Sequence, residues 1–355
     1  MRIAIISITN EGARLADRLT ASLQGEIEIF AKVGRNPAGA KEYNHLGQLV
    51  ATLFHQYDSF VFIMTVGVVV RIIAPHVRDK RYDPAVVVLD EAGNHAISLL
   101  SGHLGHSNAL TTLLGQAVQA KAIITTSNDT LQKPAVDLLA VKLNAAIEPF
   151  DNLCIMDAAI DHGENVAFFI DTSLVNYETY LVTAAEFDIT LLDIKDLTKV
   201  DNYDAAVVIT DKDLYMVKPC LFLRPPTLVA GISCRQDTSS SEILSALADS
   251  CKKIGRSMKS IAAIASSEAR EDEIGVLATA QQIEVPMRFF PIDDLLRHAG
   301  RREGSPNPAD ARLDPASVCE TAALMAAKAD SLVLAASHYD NVIVALAEAK
   351  SCWWE

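Results

Sequence analysis

The sequence predicts a multidomain α/β protein whose N-terminal sheet is mainly parallel. Three observations favour this fold class: β-rich runs alternate with segments of helical period, the chain has 355 residues, and AVILMFWYC residues make up 50% of it. At about 150 residues per domain, this length indicates two or three domains with a sizeable core. Alternating strand and helix patterns are typical of parallel sheets covered by helices.

The first third of the chain carries the clearest alternation. A strand, a helix with leucines at 15, 19 and 23 on one stripe, and a second strand open it as a βαβ unit. Later, Asp90 to Asn94 separate two apolar runs as a hairpin turn does. The pattern predicts a flavodoxin/Rossmann-like sheet. Its predicted strands are 2–9, 26–30, 59–64, 85–89, 95–100 and 123–129, and its predicted helices are 10–23, 44–56, a short one ending at Pro75, and 107–118.

Three domains are predicted. Residues 1–140 form the N-terminal α/β domain, residues 141–224 a smaller middle α/β domain, and residues 225–355 a C-terminal α/β domain. Arg224-Pro225-Pro226 is a stiff junction because proline restricts its own backbone and that of the preceding residue. Residues 300–315, rich in Gly, Pro, Arg and Asp, are predicted to be a loop.

Charge and composition exclude several classes of partner. Lys and Arg number 31 against 45 Asp and Glu, a net charge of −14 that opposes general binding to nucleic acid or anionic lipid. The apolar run from residue 60 to 70 falls short of the roughly 20 residues that span a bilayer. The six cysteines form no CxxC motif or Cys/His cluster. We therefore expect a cytoplasmic protein with no nucleic-acid partner, no membrane contact and no bound metal.

The densest group of polar residues lies between Thr65 and Asn108. Arg71, Lys80 and Arg81 supply cations, and the segment SGHLGHSN, residues 101–108, opens a helix. Its glycines let the backbone approach a ligand, and helix N-termini favour carboxylates or phosphates. The segment is equally well explained as a plain loop-to-helix junction.

Histidines and acids in this region are candidates for acid–base chemistry. His103 and His106 are spaced as metal ligands, but no third ligand follows at a diagnostic spacing. Either could act as a general base or simply bond to the loop backbone. Asp90 and Glu91 are likewise candidate bases, although acidic residues in hairpins are more often turn residues.

A second candidate anion cradle lies in the C-terminal domain. Gly231, Cys234, Arg235 and Thr238 follow the order of strand, glycine turn and helix start. The P-loop motif GxxxxGK[ST] is absent from the sequence. Without a nearby base, Cys234 is better explained as a packing thiol than as a nucleophile. The small-residue run from Ser317 to Ala323 indicates close helix packing.

Several motifs together resemble one family. Residues 62–115 contain GxxxR, DKxxDPAVVVxDExG and SLLSGHLGxxN, and IITTSNDT and KPAVDLLA follow. Further on come GISCRQDTSSSEI, VPMRFFPIDDL and SVCETAALMAA. This combination resembles the cobalt-precorrin-5A hydrolases, the CbiG family of anaerobic cobalamin biosynthesis. The chain departs from the pattern after GHLG, where the usual pair of glycines is replaced by Gly105-His106-Ser107.

The resemblance implies a reaction on a tetrapyrrole. The ring A δ-lactone of cobalt-precorrin-5A is opened, and C20 with its methyl group leaves as acetaldehyde, giving cobalt-precorrin-5B. The conjugated ring and its cobalt supply the electron sink, so no protein cofactor is expected and the cobalt arrives with the substrate. The partners implied are this cobalt-corrinoid and, transiently, the neighbouring methyltransferases of the pathway.

Residue roles follow from the resemblance and the local chemistry. The catalytic candidates are His103, Glu91 and Asp90, with His103 favoured as base and Glu91 second. Two other functions stay open: a protein that holds and transfers a corrinoid intermediate without catalysis, and an unrelated enzyme of nucleotide or sugar-phosphate chemistry. The predicted substrate-binding residues are Arg71, Lys80, Arg81, Ser101, Gly102, Gly105, His106, Asn108, Thr125, Thr126, Gly231, Cys234, Arg235 and Thr238.

Overall fold

The computed structural model describes residues 1–36, 39–126, 134–197, 199, 202–302 and 314–349. The chain forms two compact units, residues 1–133 and residues 134–355. The first contains one sheet and the second contains two. The three domains with boundaries near residues 140 and 225 stay a prediction.

A seven-stranded sheet forms the centre of the first unit, in the order β3-β2-β1-β4-β5-β6-β7. The five strands from β1 to β5 are parallel, whereas β6 runs antiparallel to β5 and β7 runs parallel to β6. The prediction of a mainly parallel sheet closed by a hairpin is confirmed. The strands are β1 (Arg2–Ser7), β2 (Glu26–Lys32), β3 (Lys41–Tyr43), β4 (Ser59–Ile63), β5 (Ala85–Leu89), β6 (His95–Leu100) and β7 (Lys121–Ile123).

Helices cover both faces of this sheet. They are needed because the side chains of β1, β4 and β5 are apolar on both faces, and each face must be shielded from water. On one face Leu15 and Leu19 pack against the strands together with Leu114, and on the other face Phe54 and Phe60 lie in the core. The N-cap of the first helix is Thr9, one residue before the predicted cap Asn10. The helices are α1 (Asn10–Thr20), α2 (Leu46–Leu53), α3 (Val66–Ile73) and α4 (Ser107–Val118).

The reversal at β6 decides which loops share an edge of the sheet. Val86 near the start of β5 pairs with Leu100 at the end of β6, and Leu89 pairs with Ala96. The loop after β6 therefore lies at the amino edge of the parallel strands, beside residues 58 and 84. The hairpin turn after β5 lies at the carboxyl edge. At about 3.3 Å per residue, the two edges are about 15 Å apart.

The second unit contains two five-stranded sheets, in the orders β10-β9-β11-β12-β8 and β15-β14-β13-β17-β16. The strands are β8 (Ala146–Glu148), β9 (Val166–Ile170), β10 (Leu191–Asp193), β11 (Ala205–Ile209), β12 (Cys220–Arg224), β13 (Leu228–Cys234), β14 (Ile261–Ser267), β15 (Met287–Phe290), β16 (Leu332–Tyr339) and β17 (Val342–Glu348). The helices are α5 (Val136–Lys142), α6 (Asn152–His162), α7 (Tyr177–Ala185), α8 (Ser240–Lys253), α9 (Ile274–Gln282), α10 (Ile292–Arg302) and α11 (Pro315–Ala327).

Several predicted elements are longer than the observed ones: the strand predicted over 2–9 ends at Ser7, and the helices predicted over 10–23 and 44–56 span Asn10–Thr20 and Leu46–Leu53. Two further predictions differ more. The strand predicted over 123–129 is the shorter β7, which begins at Lys121 and ends at Ile123, and residues 127–129 lie outside the described part of the chain. The loop predicted over 300–315 is helical at both ends, since α10 extends to Arg302 and α11 begins at Pro315. Residues 303–313 lie outside the described residues.

Across the described residues, every helix is too short or too polar to cross a bilayer.

Candidate functional site

The loop from Ser101 to His106 connects β6 to α4 at the amino edge of the first sheet. The hydroxyl of Ser101 donates to the carbonyl of Asp83 at 2.9 Å, which ties this loop to the segment before β5. Asp83 is itself buried and accepts two bonds at 3.0 Å from the backbone N–H of Arg78. The signature segments around residues 80 and 101 are thus held together by hydrogen bonds.

Asn108 anchors three elements at this edge. Its Oδ1 accepts a 2.6 Å bond from the Ser98 hydroxyl on β6, and its Nδ2 donates to the Thr126 hydroxyl at 3.0 Å. The Ser98 hydroxyl also bonds to that of Ser107. Asn108 is buried and acts as a positioning residue, and the structure brings Thr126 into its network as a partner.

Gly102 and Gly105 are needed for close packing. A Cβ on Gly105 would lie 2.5 Å from the Cβ of Ser101, and a Cβ on Gly102 would lie 3.0 Å from Oδ1 of Asn108. Real Cβ atoms do not tolerate the first contact. The two glycines therefore allow the loop to pack closely against its own residues. The prediction gave them a different role, in which they let the backbone approach a ligand.

The backbone anion cradle predicted at the start of α4 has two of its N–H groups occupied within the protein. The N–H of Ser107 donates to the Ser101 carbonyl and the N–H of Asn108 to the Gly102 carbonyl, each at 3.1 Å. Two of the first N–H groups of α4 are therefore occupied by the preceding loop. A ligand at this edge must be recognised mainly by side chains.

A cleft of about 570 Å³ opens beside this loop. Its volume lies within the range of small-molecule sites. Residues of several chemical types line it, from four segments of the chain. The lining residues are Met1, His55, Gln56, Tyr57, Asp58, Arg81, Tyr82, Asp83, Pro84, Leu104, Gly105 and His106.

The cationic residues near this cleft differ in how they are held. Arg81 makes a two-point ion pair with Asp79, with Nε and Nη2 at 2.9 and 2.7 Å from the carboxylate oxygens, and this pair lowers the pKa of Asp79. Its guanidinium also lies 5.3 Å from the ring centre of Tyr82, which is 60% exposed. Arg81 is therefore preorganised, and its charge is already balanced. Lys80 is exposed beside it.

The three predicted catalytic residues are not together. His103 is 7% exposed and lies at the amino edge, whereas Asp90 and Glu91 lie in the hairpin at the carboxyl edge. Asp90 accepts bonds from the N–H groups of Ala92, Asn94 and His95. Burial raises the pKa of Asp90, but these bonds outweigh it and lower the pKa. The alternative explanation of Asp90 as a turn residue fits, and it cannot share one reacting atom with His103.

Arg71 is exposed on α3, and its role in substrate binding stays a prediction. Its Nη1 donates to the Gly67 carbonyl of its own helix at 3.0 Å, which directs the side chain back toward the carboxyl edge. Asp83 and Asp90 bond to other groups, and neither pairs with Arg71. Thr125 is exposed, following β7.

The C-terminal residues lie in the second unit, and their predicted glycine turn is wrong. Gly231 lies inside β13, where an added Cβ would come within 1.9 Å of the Cys319 carbonyl of α11. The close helix packing predicted for residues 317–323 is the reason for this glycine. Cys234 is buried, and burial raises the pKa of its thiol, as the packing interpretation requires.

The N-terminus of α8, after Arg235 and Thr238, is capped by its own residues. The N–H of Glu242 donates to the Ser239 hydroxyl, and the Glu242 carboxylate accepts from the Ser239 N–H at 3.1 Å. The neighbouring cavity of about 430 Å³ is lined by Asp237, Asp272 and Glu273. The sheet of strands β13 to β17, called the third sheet below, therefore carries negative charge at this end, and that charge repels a carboxylate ligand. Arg235 donates to Asn341, and Thr238 donates to the Arg235 carbonyl.

Sequence reasoning missed His55 and Tyr82 as candidate site residues. Tyr82 stands inside the DKxxDP motif, and a tyrosine among its charged residues was an available signal. His55 follows α2 and precedes β4, a position that must lie at the amino edge of a parallel sheet. The topology of the predicted sheet could have indicated it.

The fold and the cleft define a multidomain α/β protein with a cleft lined by imidazole, phenol and guanidinium groups. Among the described residues, no group of three His, Cys, Asp or Glu side chains is placed to hold a metal ion.

Comparison with known proteins identifies the family. The profile described as Cobalamin synthesis G N-terminal matches residues 48–129, the Cobalamin biosynthesis central region matches 134–225, and the Cobalamin synthesis G C-terminus matches 228–347. The chain is 31% identical to a cobalt-precorrin-5A hydrolase of Salmonella typhimurium over 299 residues, 82% of this chain and 83% of the relative. It is 27% identical to one of Priestia megaterium over 367 residues, 97% of this chain and 94% of the relative. The chain belongs to the cobalamin synthesis G (CbiG) family.

Among solved structures, a cobalamin biosynthesis protein G homolog from Sulfolobus solfataricus matches with a TM-score of 0.39 and 21% identity, covering 98% of this chain and 97% of that one. CobE, a protein from the cobalamin (vitamin B12) biosynthetic pathway, matches 36% of this chain and 93% of its own with a TM-score of 0.30 and 31% identity.

Proposed function

We infer that this protein is a cobalt-precorrin-5A hydrolase of anaerobic cobalamin biosynthesis. The observation that carries this conclusion is the match along nearly the whole chain to relatives of that name, at 27% and 31% identity. The alternative of a transfer protein without catalysis is not favoured, because these relatives are named as hydrolases. The reaction we propose opens the ring A δ-lactone and releases acetaldehyde to give cobalt-precorrin-5B.

The chemistry makes three demands. Water must be activated at the lactone carbonyl, hydrogen-bond donors must stabilise the oxyanion that forms, and the carbon–carbon bond must break with its electron pair going to the conjugated ring. Lactone opening leaves a carboxylate on the ring substituent and a hydroxyl on the carbon to be expelled. Loss of that hydroxyl proton and cleavage of the bond release acetaldehyde. The protein binds, orients and transfers protons.

We propose the cleft at the amino edge of the first sheet as part of the substrate site. The substrate is a flat apolar ring whose rim carries several carboxylates. Tyr82 offers an exposed aromatic face, the guanidinium plane of Arg81 lies beside it, and Lys80 is exposed next to Arg81. A tetrapyrrole with its carboxylate arms exceeds about 570 Å³, so the cleft receives one portion of the ring.

His103 is the favoured base among the three predicted catalytic residues. It lies at the edge of the sheet that carries the cleft, whereas Glu91 and Asp90 lie at the opposite edge. A base must come within hydrogen-bond reach of the proton that it removes, directly or through one water molecule. Because His103 is nearly buried, we propose that it acts through one ordered water molecule.

The remaining assignments are proposals of the same kind. We propose that the enzyme has no resident metal or organic cofactor and that the cobalt is part of the substrate. We further propose a cytoplasmic location and transient contact with the methyltransferases that produce and consume unstable corrinoids.

The direct test mixes the purified full-length protein with cobalt-precorrin-5A under anaerobic conditions and measures acetaldehyde with a coupled alcohol dehydrogenase and NADH. We expect one acetaldehyde per corrinoid, and unchanged turnover after treatment with a chelator. Tight corrinoid binding without acetaldehyde would contradict the hydrolase and support a transfer protein. Activity lost to the chelator and restored by zinc would contradict the absence of a resident metal.

A further inference from the structure

His106 has a backbone conformation that is costly for its side chain. Its φ of 67° and ψ of 19° place it in the left-handed region, where glycine is the default residue and a side chain is strained. It is the residue immediately before α4, so its conformation directs the entry of the chain into that helix. A histidine at this position requires an explanation.

Local structure does not provide one. The His106 side chain makes no capping bond to α4, although its backbone N–H donates to the His103 carbonyl at 3.0 Å and its carbonyl accepts from Leu110. Within the described part of the chain, its imidazole has no hydrogen-bond, ion-pair or ring partner. The side chain is exposed and contributes nothing visible to folding.

The surroundings of the imidazole indicate a ligand. His106 lines the cleft together with His55, Arg81 and Tyr82. His55 is also exposed, and its ring packs edge-on against that of Phe54, with ring centres 5.2 Å apart. Strained residues that make no compensating contacts occur mainly at functional sites. Three further observations indicate a ligand without relying on the backbone strain. They are the cavity, the exposed ring of Tyr82, and the two histidines His55 and His106 in the lining.

We propose that the His106 imidazole contacts the substrate, donating a hydrogen bond to a carboxylate on the rim of the macrocycle bound beside Tyr82. The proposal rests on the function inferred above and assigns His106 a role in binding and specificity. Since two N–H groups of α4 are occupied by loop carbonyls, the imidazole replaces the backbone as the donor at this point of the cleft. His55 also lines the cleft, and we expect it to contact a second substituent.

The test is His106→Gly in the full-length protein, with Gln119→Gly as the matched control. Gln119 has a φ of 61° at the other end of the same helix, so both changes relieve the same backbone strain. We expect both variants to melt at the wild-type temperature or up to about 3 °C above it. Only His106→Gly should raise KM for cobalt-precorrin-5A, by about tenfold or more, with a smaller change in kcat.

A second variant separates the imidazole from the backbone. Asparagine tolerates the left-handed region and has an amide donor, so His106→Asn should recover part of the lost affinity. Equal KM values for wild type, His106→Gly and Gln119→Gly would overturn the proposal while leaving the hydrolase assignment intact. Absence of acetaldehyde release by the wild type would instead contradict the proposed function, and binding of cobalt-precorrin-5A by the three proteins would then decide the role of His106.

Discussion

Polar side chains serve different purposes in the two units. At the amino edge of the first sheet, they surround an open cleft of about 570 Å³. Between the two sheets of the second unit, charged residues are enclosed and bonded to one another. Arg224, 3% exposed on β12, donates to Glu148 on β8 at 2.7 Å and to the carbonyls of Thr210 and Lys212 at 3.1 and 2.6 Å.

The same enclosed network crosses to the third sheet. The Ser257 hydroxyl, just before β14, donates to Glu148 at 2.9 Å. Arg256 pairs with the buried Asp211 and lies 3.3 Å from Glu348 on β17. The Thr227 hydroxyl donates to Asp211 at 2.6 Å. These bonds explain why the second and third sheets form one compact unit.

This difference between the two units distinguishes side chains that can bind a ligand from side chains that stabilise the fold. In the second unit the buried Arg224 and Asp211 have partners inside the protein, so most of their hydrogen-bonding capacity is already used. At the cleft, an imidazole and an exposed phenol ring are held in place by backbone and packing alone. A buried charge with full partners predicts an effect on stability, and an exposed donor beside a cavity predicts an effect on binding.

The largest expected effect concerns Arg224→Met. It removes three hydrogen bonds and leaves Glu148 and two carbonyls without this partner, so we expect a loss of about 3–5 kcal/mol in the free energy of unfolding. Turnover by the folded fraction should stay at the wild-type level. The control is Arg14→Met, which breaks an exposed pair with Glu11 and should cost less than about 1 kcal/mol. Urea denaturation measures the free energy of unfolding of both variants. Equal losses would contradict the structural role of the buried Arg224.

A smaller effect is expected from pH. Burial raises the pKa of Asp171, but bonds from Ser173 and Lys212 outweigh it and lower the pKa. A carboxyl whose pKa is lower in the folded state contributes stability above its unfolded pKa of about 4 and loses it as the pH falls through the folded pKa.

The matching variant is Asp171→Asn. At pH 7 we expect its free energy of unfolding to be about 1–2 kcal/mol lower than that of the wild type. This difference in the free energy of unfolding should become smaller below about pH 4. Asp17→Asn, an exposed residue on α1, provides the control. Urea midpoints at both pH values measure the gap. A gap that is constant with pH would show that the Asp171 network does not depend on the charge.

Much of the fold could be predicted because the local signals agree with the tertiary structure. The helix predicted over 107–118 has those bounds in the structure. The hairpin between β5 and β6 was predicted from its turn residues. The sequence predicts a turn at Gly231, whereas β13 continues through it to Cys234. A glycine that lets a helix backbone pack closely and a glycine that makes a turn look the same in the local sequence.

The site could be predicted only in part. The sequence indicated the segment around residues 101–108, but ten residues of sequence separate Glu91 from Ser101 while β6 carries the chain across the sheet. Grouping by sequence proximity therefore joined His103 with acids at the opposite edge. The two predicted anion cradles are partly occupied within the protein for a related reason: whether an N–H at a helix start is free depends on loop carbonyls that no motif specifies.

The central claim is that the cleft of the first unit, rather than the capped helix start of the third sheet, binds the corrinoid. Hydrogen–deuterium exchange on the full-length protein, with and without saturating cobalt-precorrin-5B, tests it directly because the product does not turn over. We predict slower exchange at residues 80–83 and 101–106 and no change at residues 235–241. Protection confined to residues 235–241 would contradict the account and place the substrate at the C-terminal sheet.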